Sequence, residues 1–429
     1  MSTEAREKAE ASLGEALLRC NKCGFCLAHC PIYKVTGVEW VTARGRITLI
    51  RSALLDHQLE LSELEEPVFN CLTCNICVDD CPAGILTADI ILSTRDELLR
   101  QWGQPWVQRL VFRRLLPNPS RVHTASKLLR LVDVIGLRIA ARKTGLMKLL
   151  GDAGKAEAMM PKVPPSGGLD AVIRLTKRVE HPKYRVAYFV GCHAPNFAPR
   201  VATATIRILH RHQVEVIVAK FACCGLPAAG YGDMPSALSL AHTNIDIASN
   251  LKVDAIVTPC ASCSSFLKEY GKHLADEPEW SEKAKDFCSK VKDISEFLID
   301  IGLVTEMGTV RKRVTYHDPC HLARYQKIRV QPRTILRSIP GVEFIEMNEA
   351  DICCGAAGTY GFKHYDLSME VLARKMGNVE KTSADILVSS CPACGMQLSS
   401  GVSQQKMPMR VLEIVELLDY AYQTAKDVH

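Results

Sequence analysis

The chain of 429 residues lacks several features that would place it in common functional classes. It has no run of roughly eighteen or more apolar residues, so we expect no segment that spans a membrane. Its first residues contain no apolar signal region, which argues against secretion and against a disulfide framework. The formal charge is only +6, an excess too small to indicate nucleic acid as a partner.

Two nucleotide fingerprints are also absent. The chain contains neither the Gly-x-Gly-x-x-Gly motif of flavin and nicotinamide domains nor a Walker loop, so hydride chemistry must take place on another chain. Cysteine, in contrast, is abundant, with 19 residues. Without secretion, this number indicates reduced thiols that bind metals in the cytoplasm. A peripheral contact with the inner face of the cell membrane stays open.

Eight cysteines form two identical runs near the N-terminus. Each run reads Cys-x₂-Cys-x₂-Cys-x₃-Cys-Pro, starting at Cys20 and at Cys71. Bacterial two-cluster ferredoxins have this run, and their fourth cysteine ligates the other cluster. We therefore predict two [4Fe–4S] clusters, one held by Cys20, Cys23, Cys26 and Cys81 and the other by Cys71, Cys74, Cys77 and Cys30. Zinc is the alternative, although zinc sites favour two-plus-two groupings of ligands.

Helices are predicted around and after these runs. The helix between the runs carries Arg44, Arg46 and Arg51, which either neutralise cluster charge or form a solvated face. Another follows the second run, from Thr87 to about Trp102. Beyond it cysteine disappears and basic residues alternate with leucines, which predicts basic amphipathic helices. These helices either dock a partner or a membrane surface, or cover the ferredoxin module.

The rest of the chain is an internal repeat with a period of about 130 residues. Each copy alternates short β-branched runs with helical stretches, which predicts βαβ units and a parallel sheet. The fold class is therefore multidomain α+β and α/β: a helical ferredoxin-type module followed by two repeated α/β domains. Five cysteines in each copy follow the carboxyl ends of strands, where open α/β sheets bind ligands. They are Cys192, Cys223, Cys224, Cys260 and Cys263, and then Cys320, Cys353, Cys354, Cys391 and Cys394.

These cysteines carry a family resemblance. The pattern Cys-x₃₀₋₃₂-Cys-Cys-Gly-x₃₄₋₃₅-Cys-x₂-Cys, present twice, resembles the cysteine-rich CCG domain of the heterodisulfide reductase family. Together with the N-terminal ferredoxin module, the chain is similar to glycolate oxidase iron–sulfur subunits and to heterodisulfide reductase D subunits. The resemblance implies a further cluster in each repeat, either noncubane [4Fe–4S] or another iron–sulfur type, with zinc as the remaining alternative. His193 and His321, and similarly His317 and Asp318, are expected to donate hydrogen bonds to sulfur.

The resemblance also implies a function. We expect the electron-transfer subunit of an oxidoreductase complex, accepting electrons from an FAD-binding dehydrogenase subunit that oxidises glycolate or lactate and passing them to quinone or a redox protein. The alternatives are a disulfide reductase and the iron–sulfur subunit of an anaerobic glycerol-3-phosphate dehydrogenase.

The predicted domains are the ferredoxin module at 1–100, a basic helical connector at 101–180, and CCG domains at 181–308 and 309–429.

Overall fold

The N-terminal part of the molecule is helical, as the sequence predicts. A computed structural model describes residues 13–145, 149, 151–157, 160, 162–358 and 360–425. Short helices surround a small core in which Ile50, Val68 and Ile91 are fully buried. The helices here span 13–18, Phe25–His29, Pro31–Thr36, Glu39–Val41, Ala43–Leu54, Leu61–Leu64, Glu65–Phe69, Ile76–Asp79 and Thr87–Trp102.

Each repeat contains one four-stranded sheet, and both sheets are entirely parallel. The strand orders are β2-β1-β3-β4 and β6-β5-β7-β8, so the two copies share one topology. The strands are β1 Tyr184–Tyr188, β2 Val214–Ile217, β3 Ala255–Thr258, β4 Val291–Asp293, β5 Lys312–Tyr316, β6 Val342–Phe344, β7 Ile386–Ser389 and β8 Arg410–Glu413. This confirms the predicted repeated α/β architecture.

The edge strands β4 and β8 are the elements that sequence periodicity missed. Each runs straight into a helix that begins with a reciprocal capping box, Asp293 with Glu296 and Glu413 with Glu416. A strand of three or four residues is too short to show a period of two, and the capping residues favour the prediction of a helix.

The helices of the repeats span Ala194–Phe197, Pro199–Arg211, Leu226–Tyr231, Met234–Ser249, Ala261–Lys268, Tyr270–His273, Pro278–Lys290, Ile294–Asp300, Cys320–Ala323, Val330–Ser338, Tyr360–Phe362, Tyr365–Thr382, Pro392–Gln404 and Ile414–Thr424.

The two repeats share one hydrophobic core and pack with pseudo-twofold symmetry. The helix after β1, Pro199–Arg211, packs on the last helix of the second repeat, Ile414–Thr424. The matching helix after β5, Val330–Ser338, packs on the last helix of the first repeat, Ile294–Asp300. Such reciprocal contacts are those of an isologous pair. They bring the cysteine-bearing edges of the two sheets together.

The connector packs against the repeats rather than over the ferredoxin module. Phe112 is buried in the core of the first repeat, 5.7 Å from the ring of Tyr231, and the backbone N–H of Cys223 donates to the carbonyl of Leu116. Lys155 pairs with Asp366 of the second repeat at 2.6 Å. The described connector helices are Trp106–Leu110, Val111–Leu115, Pro119–Val134, Leu137–Lys143, Gly151–Glu157 and Gly168–Ile173. Among the residues that the structure describes, no helix is both long and apolar enough to cross a membrane.

Buried and partly buried ion pairs join the ferredoxin module to the second repeat. The guanidinium of Arg324 lies 3.3 Å from Asp79, between the last two cysteines of the second run, and 3.0 Å from Asp351. Only 2% of the Arg324 side chain is exposed. Tyr325 adds a hydrogen bond of 2.7 Å from its hydroxyl to the carbonyl of Thr73, inside the second cysteine run. This loop is therefore held directly against the second repeat.

Candidate metal centres

The first ferredoxin site gathers cysteines from both runs. Cys20, Cys23 and Cys26 line a small cavity together with Cys77 and Cys81 of the second run, so the cavity holds the predicted crossed ligand Cys81 and also a cysteine predicted for the other cluster. Backbone N–H groups point at the sulfur atoms: that of Arg44 at Cys26 over 3.4 Å and that of Ile85 at Cys81 over 3.5 Å. Such bonds stabilise thiolate over thiol, which a metal ligand needs. Which iron each sulfur binds stays a prediction.

The second ferredoxin site is buried deeper and faces the second repeat. Burial raises the pKa of the Cys77 thiol to about 12, and the nearby charges of Cys71 and Cys30 add to the rise. Cys30 and Cys74 belong to a buried cluster that also contains Cys353 of the second repeat. Burial raises the pKa of Cys74 well above its ordinary value, and the charge of Cys353 raises it further. Burial therefore disfavours the free thiolates, which a bound cluster would stabilise.

The arginines between the runs have three different roles. Arg44 lies at the first site, where its guanidinium donates to the carbonyl of Lys22 at 2.9 Å. Arg51 faces solvent and pairs with Asp56 at 3.4 Å. Arg46 is buried and donates to the carbonyl of Pro67 at 2.7 Å, so it braces the module. Of the three, only Arg44 lies at a cluster site, and its guanidinium also pairs with Glu39 at 2.6 Å.

All ten cysteines of the two repeats line one cavity between the repeats, with a volume of about 290 Å³. The ferredoxin module closes one side of this cavity through Cys71 and Arg95. Parallel sheets present their carboxyl edges here, which is why loops far apart in sequence converge. The glycine after each Cys-Cys pair is needed: Gly355 has φ +87°, and a Cβ there would lie 2.6 Å from the carbonyl oxygen of Ser368.

The sulfur contacts repeat from one copy to the other. In the first repeat, the Sγ atoms of Cys192 and Cys223 lie 4.0 Å apart. The other thiols shift one another's pKa in pairs: Cys223 with Cys224, Cys224 with Cys263 and Cys260 with Cys263 in the first repeat, and Cys320 with Cys353, Cys353 with Cys354, Cys354 with Cys394 and Cys391 with Cys394 in the second. The adjacent cysteines of each pair reach different partners, so five thiols form one group per repeat.

Proton sharing within these groups favours metal binding. Hydrogen bonds from Cys223 and Cys263 lower the pKa of Cys224 to about 5. In the second repeat, a hydrogen bond from Cys260 is the largest of the effects that lower the pKa of Cys391 well below its ordinary value. A thiolate in a buried, mostly apolar cavity needs a positive partner. The donor set therefore fits iron–sulfur clusters, which are ligated by thiolates.

The two groups touch at symmetry-related residues. The thiols of Cys260 and Cys391, which correspond in the repeats, are near enough for Cys260 to be the largest influence on the pKa of Cys391. Ser262 adds a contact of 3.2 Å from its hydroxyl to the sulfur of Cys391. The backbone is tied at the same place, where the N–H of Ala261 donates to the carbonyl of Ser390 at 2.8 Å. The contact therefore lies on the pseudo-twofold axis.

The histidines of this region differ from the sequence-based expectation. His193 is buried at the cavity without a hydrogen-bond partner among the described residues, and burial lowers its pKa to about 4. His321 bonds through Nδ1 to the hydroxyl of Ser265 at 3.1 Å. His317 bonds through Nδ1 to the carbonyl of Ala350 at 3.1 Å; its Nε2 is buried without a hydrogen-bond partner among the described residues, and the imidazole offers a nitrogen within 4.8 Å of the thiols of Cys354 and Cys394. Asp318 faces away from sulfur and pairs with Arg333 at 2.7 Å.

Two buried cations near the sites were not anticipated. Arg95 donates to the carbonyls of Cys71 at 2.7 Å and of Gly230 at 2.6 Å, joining the second cluster loop to the first repeat. Lys375 donates to the carbonyls of Glu349 at 2.6 Å and Ala350 at 2.8 Å, next to the Cys353-Cys354 pair. Each lies on an amphipathic helix, where sequence alone places a cation on the solvent face. No local signal distinguishes them.

Three family models match the chain in the order of its structure. A 4Fe-4S dicluster domain matches residues 16–85, and the linker region of the glycolate oxidase iron–sulfur subunit matches residues 103–160. A cysteine-rich domain matches twice, at residues 186–268 and 314–399. The chain therefore contains several iron–sulfur sites, two of them of the [4Fe–4S] dicluster type.

Curated relatives extend over most of the chain. A "Probable glycolate oxidase iron-sulfur subunit" of Bacillus subtilis is 34% identical over 94% of this chain and 93% of its own length. A "Glycolate oxidase iron-sulfur subunit" of Escherichia coli is 28% identical over 93% of this chain and 94% of its own length. The "Lactate utilization protein A" of Shouchella clausii is 31% identical over 54% of this chain and 98% of its own length. The chain belongs to the family of glycolate oxidase iron–sulfur subunits.

Proposed function

We propose that this protein is the electron-transfer subunit of an FAD-dependent 2-hydroxyacid dehydrogenase complex. A partner flavoprotein oxidises glycolate or lactate to the 2-oxo acid, which releases two electrons and two protons. The present chain takes the electrons one at a time and delivers them to an acceptor such as quinone, which takes up two electrons and two protons. The relatives supply the substrate class, since two are glycolate oxidase subunits and one is a lactate utilization protein.

The observation that carries this proposal is the unbroken row of cysteine sites. Cys77 lines the first ferredoxin cavity and also lies beside Cys71 and Cys30 of the second site. From there Cys74 contacts the second repeat at Cys353. Cys391 of that repeat then touches Cys260 of the first repeat. Electron tunnelling falls steeply with distance, so sites in contact favour a conduit.

The ligand sets follow the grouping of the sulfur atoms. We assign the first ferredoxin cluster to the cavity that Cys81 shares with the first run, and the second to the cysteines around Cys77. Each group of five thiols in the repeats holds one further cluster. We keep the domain limits at residues 100, 180 and 308, each of which lies outside the matched domains.

We assign partner docking to the connector, on a surface that combines exposed apolar and basic side chains. Leu128, Leu131 and Val134 lie on one helix and are each more than half exposed. Arg109, Arg113 and Arg114 are exposed on the preceding helices. Apolar contacts with a basic margin suit a flavoprotein or an anionic membrane surface.

The test is stopped-flow reduction of the anaerobically purified chain by its reduced flavoprotein, followed at the visible absorption of iron–sulfur clusters. We expect about sixteen irons per chain, from four clusters of four, and stepwise reduction before the acceptor is reduced. A chain with full iron that the reduced flavoprotein leaves oxidised would contradict the proposal. Reduction of a disulfide by viologen-reduced chain, without any transfer from the flavoprotein, would favour the disulfide reductase instead.

A further inference from the structure

We infer that His317 supplies a nitrogen ligand to the metal centre of the second repeat, so that this centre has a mixed sulfur and nitrogen donor set. At the equivalent position the first repeat has Phe189. The inference rests on the proposal above that the five thiols of the second repeat hold an iron–sulfur cluster. It goes further, because it assigns a sixth donor that the cysteine pattern does not contain.

The geometry around His317 is that of a ligand group. Its imidazole and the thiols of Cys354 and Cys394 offer donor atoms that all lie within 4.8 Å of one another. All three residues are buried, and His317 is fully inaccessible to solvent. Its Nε2 has no hydrogen-bond partner among the described residues. A buried ring nitrogen without a partner is costly. Because Nδ1 is already bonded to Ala350, Nε2 is the nitrogen left to share a bound metal with the two thiols.

The hydrogen bond on the other ring nitrogen decides the role of Nε2. A carbonyl oxygen can only accept, so Nδ1 of His317 must carry the proton that it donates to Ala350 at 3.1 Å. In the neutral ring Nε2 then presents a bare lone pair. Such a nitrogen cannot donate a hydrogen bond to sulfur, but it can bind a metal. A proton on both nitrogens would place a second cation beside Lys375, which donates to the same carbonyl.

The two repeats have the same backbone hydrogen bond at this position but different side chains. The N–H of His317 donates to the carbonyl of Val388 at 2.9 Å, just after β5. At the same position after β1, the N–H of Phe189 donates to the carbonyl of Val257, also at 2.9 Å. Phe189 packs on Phe221 with ring centroids 5.2 Å apart, an apolar contact without a donor. Equivalent backbone positions therefore carry an imidazole in one repeat and a benzene ring in the other.

The decisive measurement is pulsed EPR on the reduced, anaerobically purified full-length protein, with and without ¹⁵N-labelled histidine. We expect one cluster signal with a strong nitrogen coupling that changes on labelling. His317→Phe, which copies the ring of the first repeat, should remove this coupling while iron stays near sixteen, because five thiolates remain. His193→Phe is the matched control, since its ring lines the same cavity, and it should leave the coupling unchanged.

The outcomes separate this inference from the proposed function. Full iron without a histidine coupling in the native protein, or a coupling that survives in His317→Phe, overturns the nitrogen ligand and leaves the conduit intact. Iron near twelve, with no signal from the second repeat, overturns the cluster assignment and the inference with it. If the Phe variant fails to fold, His317→Cys restores a donor, and persistence of the coupling there would equally contradict the assignment.

Discussion

The two cysteine-rich repeats hold the same five thiols in the same contacts, yet their surroundings differ. The second repeat faces the ferredoxin module at Cys74 and carries His317 and Lys375 beside its thiols. The first repeat is covered by the connector through Phe112 and has Phe189 in place of the imidazole. Duplication thus produced two similar cysteine sites with different neighbours. In the proposed row of sites, the second repeat lies next to the ferredoxin module and the first repeat lies at the far end.

The largest expected effect comes from the paired variants Cys224→Ser and Cys354→Ser. Each should cost about four of about sixteen irons, because each removes a thiol that contacts two others. Delivery of electrons to the acceptor should stop in both, while flavin reduction by substrate continues. Iron analysis and EPR measure the loss. Unchanged metal content with full electron transfer in both variants would refute the five-thiol assignment.

The next effect tests how the ferredoxin module connects to the second repeat. Cys77→Ser should damage the site beside that repeat and spare the cluster of the first run. Cys81→Ser should damage the first cluster, because Cys81 lines the cavity of Cys20, Cys23 and Cys26. EPR of the two reduced proteins distinguishes them. If both variants lose the same signal, the crossed assignment is wrong.

A smaller effect contrasts the ion pairs that each repeat makes with the module. Arg324→Met should destabilise the protein by roughly 2 kcal/mol, because Asp79 and Asp351 lose their buried partner and keep only the more exposed Lys327 and Arg329. Lys272→Ala, which breaks an exposed pair between the first repeat and Asp89 of the module, should cost under about 1 kcal/mol. Urea unfolding of the anaerobic holoprotein measures both. Equal costs would remove the asymmetry of the two interfaces.

The smallest effect on the chain itself is expected at the connector. Reversing the charges of Arg109, Arg113 and Arg114 should leave iron content unchanged, since all three side chains are exposed. Binding of the flavoprotein or of anionic vesicles should weaken by about tenfold, ~1.4 kcal/mol, and the loss should shrink at high salt. Loss of iron in this variant would show that the connector stabilises the cluster sites, including that of the first repeat on which it packs.

Sequence alone determined the number and order of the cysteine groups. Their spacing is a local property: three thiols within seven residues at Cys20 and Cys71, or a Cys-Cys-Gly turn after a strand, fix which sulfur atoms converge. The alternation of short strands with helices likewise predicted parallel sheets, with the thiols at one edge. The absence of the flavin, nicotinamide and Walker motifs could also be established from the sequence, because each motif is short and local.

Only the tertiary structure decided which sites touch one another. The contacts of Cys74 with Cys353 and of Cys260 with Cys391 join segments that no local pattern relates. Tertiary packing also determines that the connector lies against the first repeat and that Arg95 and Lys375 are buried. The ring of His317 was visible in the sequence, but its bare nitrogen was not, because the carbonyl of Ala350 that fixes the proton is brought to it by packing.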